Sequence, residues 1–199
     1  MSAPLDPHRG WKFVAHWTLA NAIGVSTVIW LAVVLADSVD ISILWLPFVL
    51  VFFGFGAVAG VQQLILHRYG MPAKWWWAAS YVAWAAGALA GMVAEEFCLG
   101  LIRNYSAIAP HEFHFDTLGA SIVFGLVFGA TQMLACDLLY RRIWIWPLAC
   151  SLAFPPAVAA SFSGSETLAE MYFIALLMGA LYGMVTGLAL SLVRPQQAT

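Results

Sequence analysis

Residues 168–193 read LAEMYFIALLMGALYGMVTGLALSLV, an apolar stretch in which Glu170 is the one charged side chain. An α-helix rises about 1.5 Å per residue, and the hydrocarbon core of a bilayer is about 30 Å thick. A run of roughly 20 apolar residues is therefore long enough to cross a membrane. We predict that this stretch forms a transmembrane helix.

Five similar stretches precede it along the chain. The six predicted helices cover approximately residues 13–36, 41–66, 75–102, 117–139, 143–161 and 168–193. Of the 199 residues 63% are hydrophobic and 9% are charged, whereas soluble domains carry about 25% charged residues. The sequence thus predicts an all-α integral membrane six-helix bundle, a single transmembrane domain over residues 1–199. The outer loop 103–116 is the longest connection.

The Lys and Arg residues fall almost entirely on one side of this predicted bundle. Six helices put successive loops on alternate sides, and seven of the eight basic residues then share a side with both termini. Arg103 alone lies opposite. Cytoplasmic loops carry such an excess, so both termini are predicted to be cytoplasmic and the protein to lie in a bacterial inner (plasma) membrane. The expected partner is the lipid bilayer; nucleic acid is excluded, because its binding needs a clustered basic face.

A short pattern of two glycines and a polar residue recurs in the second, fourth and sixth predicted helices. Its members are Gly56, Gly60 and Gln63, then Gly125, Gly129 and Gln132, then Gly179, Gly183 and Thr186. An offset of 69 relates the first two sets and also places Trp75 on Trp144 and Trp77 on Trp146. The sequence therefore predicts three tandem helix-hairpin repeats around a shared core, with approximate threefold symmetry.

The spacing of this pattern puts each polar residue on the same helix face as its two glycines. Glycines allow close approach of helix backbones, which is what associates helices in lipid. Gln63, Gln132 and Thr186 all fall in the cytoplasmic halves of their helices, so we expect them to meet in an inner polar cluster. Two interpretations stay open: helix packing with local hydrogen bonds, or a polar pocket on the symmetry axis.

Seven tryptophans fall near the predicted cytoplasmic helix ends. They are Trp11, Trp17, Trp75, Trp76, Trp77, Trp144 and Trp146. Indole side chains are enriched at membrane interfaces because the ring is apolar and the N–H can stay wet. Interfacial anchoring accounts for most of them, and a tryptophan-lined ligand pocket is the alternative.

One stretch carries a resemblance to other proteins. Gly56-Ala-Val-Ala-Gly-Val-Gln-Gln-Leu-Ile-Leu-His-Arg68, followed by Trp75-Trp-Trp77, resembles a group of uncharacterised bacterial membrane proteins built from Gly/Gln/Trp helix hairpins. The resemblance covers roughly residues 50–150. It implies repeated membrane hairpins and brings no established activity.

Two adjacent acids, Glu95 and Glu96, interrupt the third predicted helix. They lie about 30 Å along the helix axis from Trp75, which places them near the outer interface. Three interpretations apply: carboxylates that reach the lipid headgroups with Glu96 approaching Arg103, a proton or cation site in an outer vestibule, or part of a metal site.

The outer loop supplies the other residues that such a metal site needs. His111, His114 and Asp116 are suitable zinc donors, and a catalytic zinc needs three protein ligands and an open position. Farther along, Pro155 and Pro156 lie within the fifth predicted helix and should kink or break it.

Three classes of function fit these features. The first is a non-catalytic membrane module that packs with partner subunits or a second copy, or that holds an apolar ligand. The second is a small-solute or ion transporter that uses the inner Gln/Thr cluster and the outer acids. The third is a metal-assisted intramembrane enzyme. The chain carries no G-x-S-x-G, phosphate-loop, dinucleotide or C-x-x-C motif, so no catalytic residue and no cofactor is assigned.

Overall fold

The computed structural model describes residues 7–38, 54–71, 74–105, 115–135, 140–141, 144–161, 167–192 and 194–195. Six helices occur in this part of the chain: α1 Pro7–Ser38, α2 Gly56–Arg68, α3 Trp76–Tyr105, α4 Phe115–Ala135, α5 Ile145–Ser161 and α6 Leu168–Leu192. Two short strands, β1 (Tyr140–Arg141) and β2 (Arg194–Pro195), pair antiparallel. The predicted all-α class with six helices is confirmed for the described residues.

The helix ends lie close to the predicted ones where both are described. The last helix was predicted over 168–193 and spans Leu168–Leu192. The first begins earlier than predicted, at Pro7, a residue that is favoured in the first helical turn because its missing N–H has no intrahelical partner there. The first part of the predicted helix 41–66 lies outside the described residues.

Proline does not end α5. The helix spans Ile145–Ser161 and runs through Pro155 and Pro156, so of the predicted kink or break the break is wrong and the kink stays a prediction. Prolines are tolerated in membrane helices because neighbouring groups can hydrogen-bond the carbonyls that proline leaves unpaired.

The helices pack as a closed ring. Each helix contacts the next one along the chain, and α6 contacts α1 extensively, which joins the two ends of the sequence. The pairing of β1 with β2 adds a second link, between the α4–α5 connection and the segment after α6. The beginnings of α1, α3 and α5 and the ends of α2, α4 and α6 therefore lie at one end of the ring.

The outer surface of the ring is apolar. Four helical segments, Gly10–Leu31, Trp76–Leu101, Thr117–Leu134 and Ala169–Leu192, are long and apolar enough to cross a membrane. Large apolar side chains on these and the other helices are exposed, among them Leu64 (70%), Val93 (71%), Leu134 (78%) and Leu152 (71%). Exposed apolar surface on this scale is unusual for a soluble monomer and is suited to lipid.

Candidate functional site

Three tryptophans fill the centre of the ring at the end where α1, α3 and α5 begin. Trp17, Trp76 and Trp146 are 0%, 0% and 1% exposed. Their ring centroids are 5.9 Å apart for Trp17 and Trp76, 6.2 Å for Trp17 and Trp146, and 5.5 Å for Trp76 and Trp146. These separations fall within the favourable range for aromatic pairs. One indole from each of three alternate helices thus forms a buried triangle, which we call the tryptophan layer.

Each indole in this layer donates its N–H to a polar side chain near the end of the preceding helix in the ring. The three bonds run from Trp76 to Gln62 Oε1 (3.1 Å), from Trp146 to Gln132 Oε1 (3.1 Å) and from Trp17 to Thr186 Oγ1 (3.0 Å). Indole can only donate, so a buried ring needs such an acceptor. Two bonds join residues 14 apart in sequence, whereas the third joins α1 to α6 across the closure of the ring.

The two glutamines also link neighbouring pairs of helices. Gln62 Nε2 donates to Asn21 Oδ1 (2.8 Å), and Gln132 Nε2 donates to Ser80 Oγ (2.8 Å). Asn21 and Ser80 lie one helical turn after Trp17 and Trp76, and each donates to the backbone carbonyl of that tryptophan. The amides therefore connect adjacent tryptophan pairs into one buried network.

The corresponding place in α5 is occupied by a thiol. Cys150 follows Trp146 by one turn and is fully buried, with its Sγ 3.7 Å from the hydroxyl oxygen of Tyr182 on α6. Thr186 is too short to extend beyond its own helix in the way that the glutamines do, and its hydroxyl instead donates to the carbonyl of Tyr182. Between α5 and α6 the network therefore has the Cys150–Tyr182 contact in place of an amide hydrogen bond. A thiol is the weaker hydrogen-bonding group of the two.

The predicted inner cluster differs from this network at one position. Gln132 (1% exposed) and Thr186 (0%) are both part of it. Gln63 is not: its Nε2 donates to the carbonyl of Lys74 (3.3 Å) and its Oε1 accepts from the backbone N–H of Trp77 (3.2 Å), so it fastens the α2–α3 turn. Gln62 occupies the buried position instead. An offset of 70 residues, rather than 69, therefore relates the Gln62–Trp76 pair to the Gln132–Trp146 pair.

The glycines of the predicted pattern also differ from one another in their surroundings. A Cβ added at Gly129 would lie 2.6 Å from Pro147 Cα on α5, and one at Gly183 would lie 2.8 Å from Thr18 Cα on α1. Gly125 and Gly179 approach the same two helices. At these four positions the backbones touch, as the pattern predicts.

The α2 glycines behave otherwise. A Cβ at Gly56 would collide with the hydroxyl of Tyr81, a side chain rather than a backbone. A Cβ at Gly60 would meet no described atom within 4 Å. No backbone in the described part of the chain lies close to Gly60, so its role in helix packing stays a prediction.

The remaining tryptophans at this end face outward. Those with exposed rings are Trp11 (69%), Trp75 (61%), Trp77 (49%) and Trp144 (61%). Interfacial anchoring suits these four residues. The other three form the buried layer, where interfacial anchoring does not account for them, and none of these three rings lines the cavity described below.

A cavity of about 250 Å³ lies against the network, on the side away from the tryptophan layer. All six helices contribute to it, and none of the lining residues in the described part of the chain is charged. Its polar boundary consists of Asn21, Gln62, Ser80 and Gln132. Its walls are mostly apolar and include seven aromatic residues, two of which are tyrosines: Phe55, Tyr81, Trp84, Phe124, Phe128, Phe154 and Tyr182.

The outer acids are separate from this cavity. Glu95 is half-buried and Glu96 is exposed on α3, and neither lines the cavity. Arg103 lies in α3 and Asp116 in α4, but their side chains are outside the described set, as are His111 and His114 altogether. Within the described residues no group of three His, Cys, Asp or Glu could hold a metal. The predicted acidic and metal sites stay predictions.

Asn21, Gln62 and Ser80 are members of the network that the sequence pattern did not identify as a site. One signal could have found Gln62: it precedes Trp76 by the same 14 residues that separate Gln132 from Trp146. This spacing links a helix end to the next helix start, whereas the glycine pattern describes a single helix.

No protein-family model, no curated protein and no solved structure matches this chain.

Proposed function

We propose that this chain is a multi-pass membrane protein that holds an apolar ligand in its central cavity and performs no chemistry on it. The observation that carries the proposal is the cavity itself, about 250 Å³ with apolar walls drawn from all six helices. An apolar cavity of about 150 Å³ suffices to bind benzene. Ligand sites combine mostly apolar walls with a few placed polar groups, as this cavity does.

The apolar exterior supports a location in a bilayer. Four helical segments are long and apolar enough to span it, and large apolar side chains are exposed around the ring. Seven of the eight basic residues fall on the side of the termini, which supports a cytoplasmic location for that side and for the tryptophan layer with it. The four outward-facing tryptophans then lie at the inner interface.

The three indole hydrogen bonds support a threefold repeat. In this proposal the repeating unit is a helix ending in Gln or Thr followed by a helix beginning with the bonded Trp. The units are α2–α3, α4–α5 and α6–α1, so the last unit is divided between the two ends of the chain. The boundaries of these units are shifted by one helix from those of the three tandem hairpins that the sequence predicts.

Transport and enzymatic catalysis receive less support. Three buried indoles fill the centre of the ring at one end, and the cavity is lined by neutral residues, neither of which favours an ion path. The acids Glu95 and Glu96 lie outside the cavity. Glu95→Gln and Glu96→Gln in proteoliposome uptake assays test the transport alternative directly, since a lost uptake would revive it.

Native mass spectrometry of the protein purified from membranes tests the ligand proposal. We expect a co-purified apolar molecule that is depleted in Val25→Phe, because Val25 lines the cavity and the larger ring would fill it. Val82→Phe, the same change at a position 61% exposed, is the matched control and should retain the molecule. Equal retention by both variants would contradict the proposal, as would recovery of the protein in a detergent-free soluble fraction.

A further inference from the structure

We infer that the cavity recognises a flat, neutral ring bearing carbonyl oxygens, the chemistry of a quinone. This inference rests on the proposed function and specifies its ligand. It combines three properties of the cavity: the hydrogen-bond donors left in its polar boundary, its aromatic walls and its lack of charge.

The donor count follows from the fixed orientation of the two glutamine amides. An indole N–H only donates, so the atom of Gln62 that faces Trp76 and the atom of Gln132 that faces Trp146 must be the carbonyl oxygens. The NH₂ group of each amide therefore lies on the other side. The indoles thus settle by chemistry an assignment that amide shape alone leaves open.

Each NH₂ group has two N–H bonds and spends one of them inside the protein. Gln62 donates one to Asn21, and Gln132 donates one to Ser80. Among the described residues no acceptor contacts the second N–H of either amide, and both side chains are more than nine-tenths buried, at 6% and 1% exposed. Buried N–H groups without a partner are rare, because burial removes the water that would otherwise accept their hydrogen bond.

Both glutamines line the cavity, so a molecule inside it can satisfy these two donors. The groups that match them are hydrogen-bond acceptors, of which a carbonyl oxygen is the plainest. An anionic acceptor is disfavoured because none of the described lining residues carries a positive charge to compensate it. The polar boundary therefore selects a neutral carbonyl.

The walls favour a ring over a flexible chain. Phe154 lies at the centre of an aromatic wall, with ring centroids 4.6 Å from Phe124, 5.6 Å from Phe128 and 5.0 Å from Tyr182. Planar ligands gain from edge and offset contacts with such rings. The volume of about 250 Å³ exceeds the roughly 150 Å³ that holds benzene, which leaves room for ring substituents. The described residues leave the cavity partly open.

Binding of decylubiquinone to the purified full-length protein tests this inference, measured by quenching of tryptophan fluorescence and by the infrared stretch of the ring carbonyls. We expect saturable binding and a carbonyl band shifted to lower frequency, as hydrogen bonding requires. Gln62→Met should weaken binding about tenfold, the loss of one buried hydrogen bond. Gln132→Met should act similarly.

Gln63→Met is the matched control, because it makes the same change one residue away, on a side chain that does not line the cavity. Its affinity should equal that of the unmodified protein. Thermal melting of all three variants shows whether they are folded. If Gln62→Met is unfolded, the test relies on decylubiquinone bound to the unmodified protein. A ring-carbonyl band that is not shifted there overturns the inference.

Two further probes separate this inference from the broader proposal. Decylbenzene has the ring and tail without carbonyls, and methyl laurate has a carbonyl without the ring. Both should bind at least tenfold more weakly than decylubiquinone. Equal binding of decylbenzene would overturn the carbonyl inference and leave an apolar site intact, and equal binding of methyl laurate would overturn the ring. Binding of none of the three would overturn the proposed function as well.

Discussion

The α4–α5 and α2–α3 helix pairs make the same Gln–Trp hydrogen bond, but their backbones approach each other differently. In both, a glutamine near the end of one helix accepts from an indole 14 residues later, at 3.1 Å. In α4–α5 the backbones touch through Gly125 and Gly129. With an offset of 70, the corresponding positions hold Phe55, immediately before α2, and Ala59 within it. The bond is therefore the shared element of the two pairs, and glycine contact is one of several ways to bring it about.

The largest expected effect compares glycines from the two pairs. Gly129→Ala should destabilise the protein by about 3 kcal/mol, because the added methyl group would lie 2.6 Å from Pro147 Cα and must displace backbone. Gly60→Ala should be neutral or stabilising by up to about 1 kcal/mol, since nothing described lies near and alanine favours helix. Thermal melting in detergent measures both. Equal melting temperatures would refute the distinction between the two glycines.

An intermediate effect is expected at adjacent tryptophans of α3. Trp76→Phe removes the donor to Gln62 and leaves a buried amide oxygen unpaired, which should cost about 2 kcal/mol. Trp77→Phe, at a ring 49% exposed, should change stability by less than about 0.5 kcal/mol. Chemical denaturation in detergent followed by circular dichroism would compare them. If Trp77→Phe were the more destabilising change, Trp77 rather than Trp76 would correspond to Trp146, as an offset of 69 requires.

The smallest expected effect concerns the pair that closes the ring. Thr186→Val keeps the side-chain shape and removes the acceptor for Trp17, at a cost of about 1 kcal/mol. Thr131→Val is the control, because the Thr131 hydroxyl donates to the carbonyl of Val127 within its own helix. The difference in melting temperature between the two variants reports the closing bond. A larger loss from Thr131→Val would show that this bond contributes nothing.

The sequence predicts the helices well and the network only in part. Long apolar runs separated by short polar segments indicate where helices such as α6 begin and end. Gln132 and Thr186 were found because each follows its glycines at a fixed spacing on one helix face. Such spacings depend on one helix alone, so sequence suffices for them.

The misassigned glutamine shows what the sequence could not decide. Gln62 and Gln63 are adjacent and chemically identical, so only the rotation of α2 against its neighbours tells which one is buried. That rotation depends on side-chain contacts such as Val58 against Gly24. The cavity is harder still to predict from the sequence, because its volume depends on how side chains of all six helices pack together.

The bond between Trp17 and Thr186 has a consequence for biosynthesis. A ribosome releases α1 first and α6 last, and 169 residues separate the donor from its acceptor. Until α6 has been synthesised, the indole N–H of Trp17 therefore lacks this acceptor. A nascent chain truncated before α6 also lacks the helix that closes the ring, so the buried network can be completed only after α6 has been made.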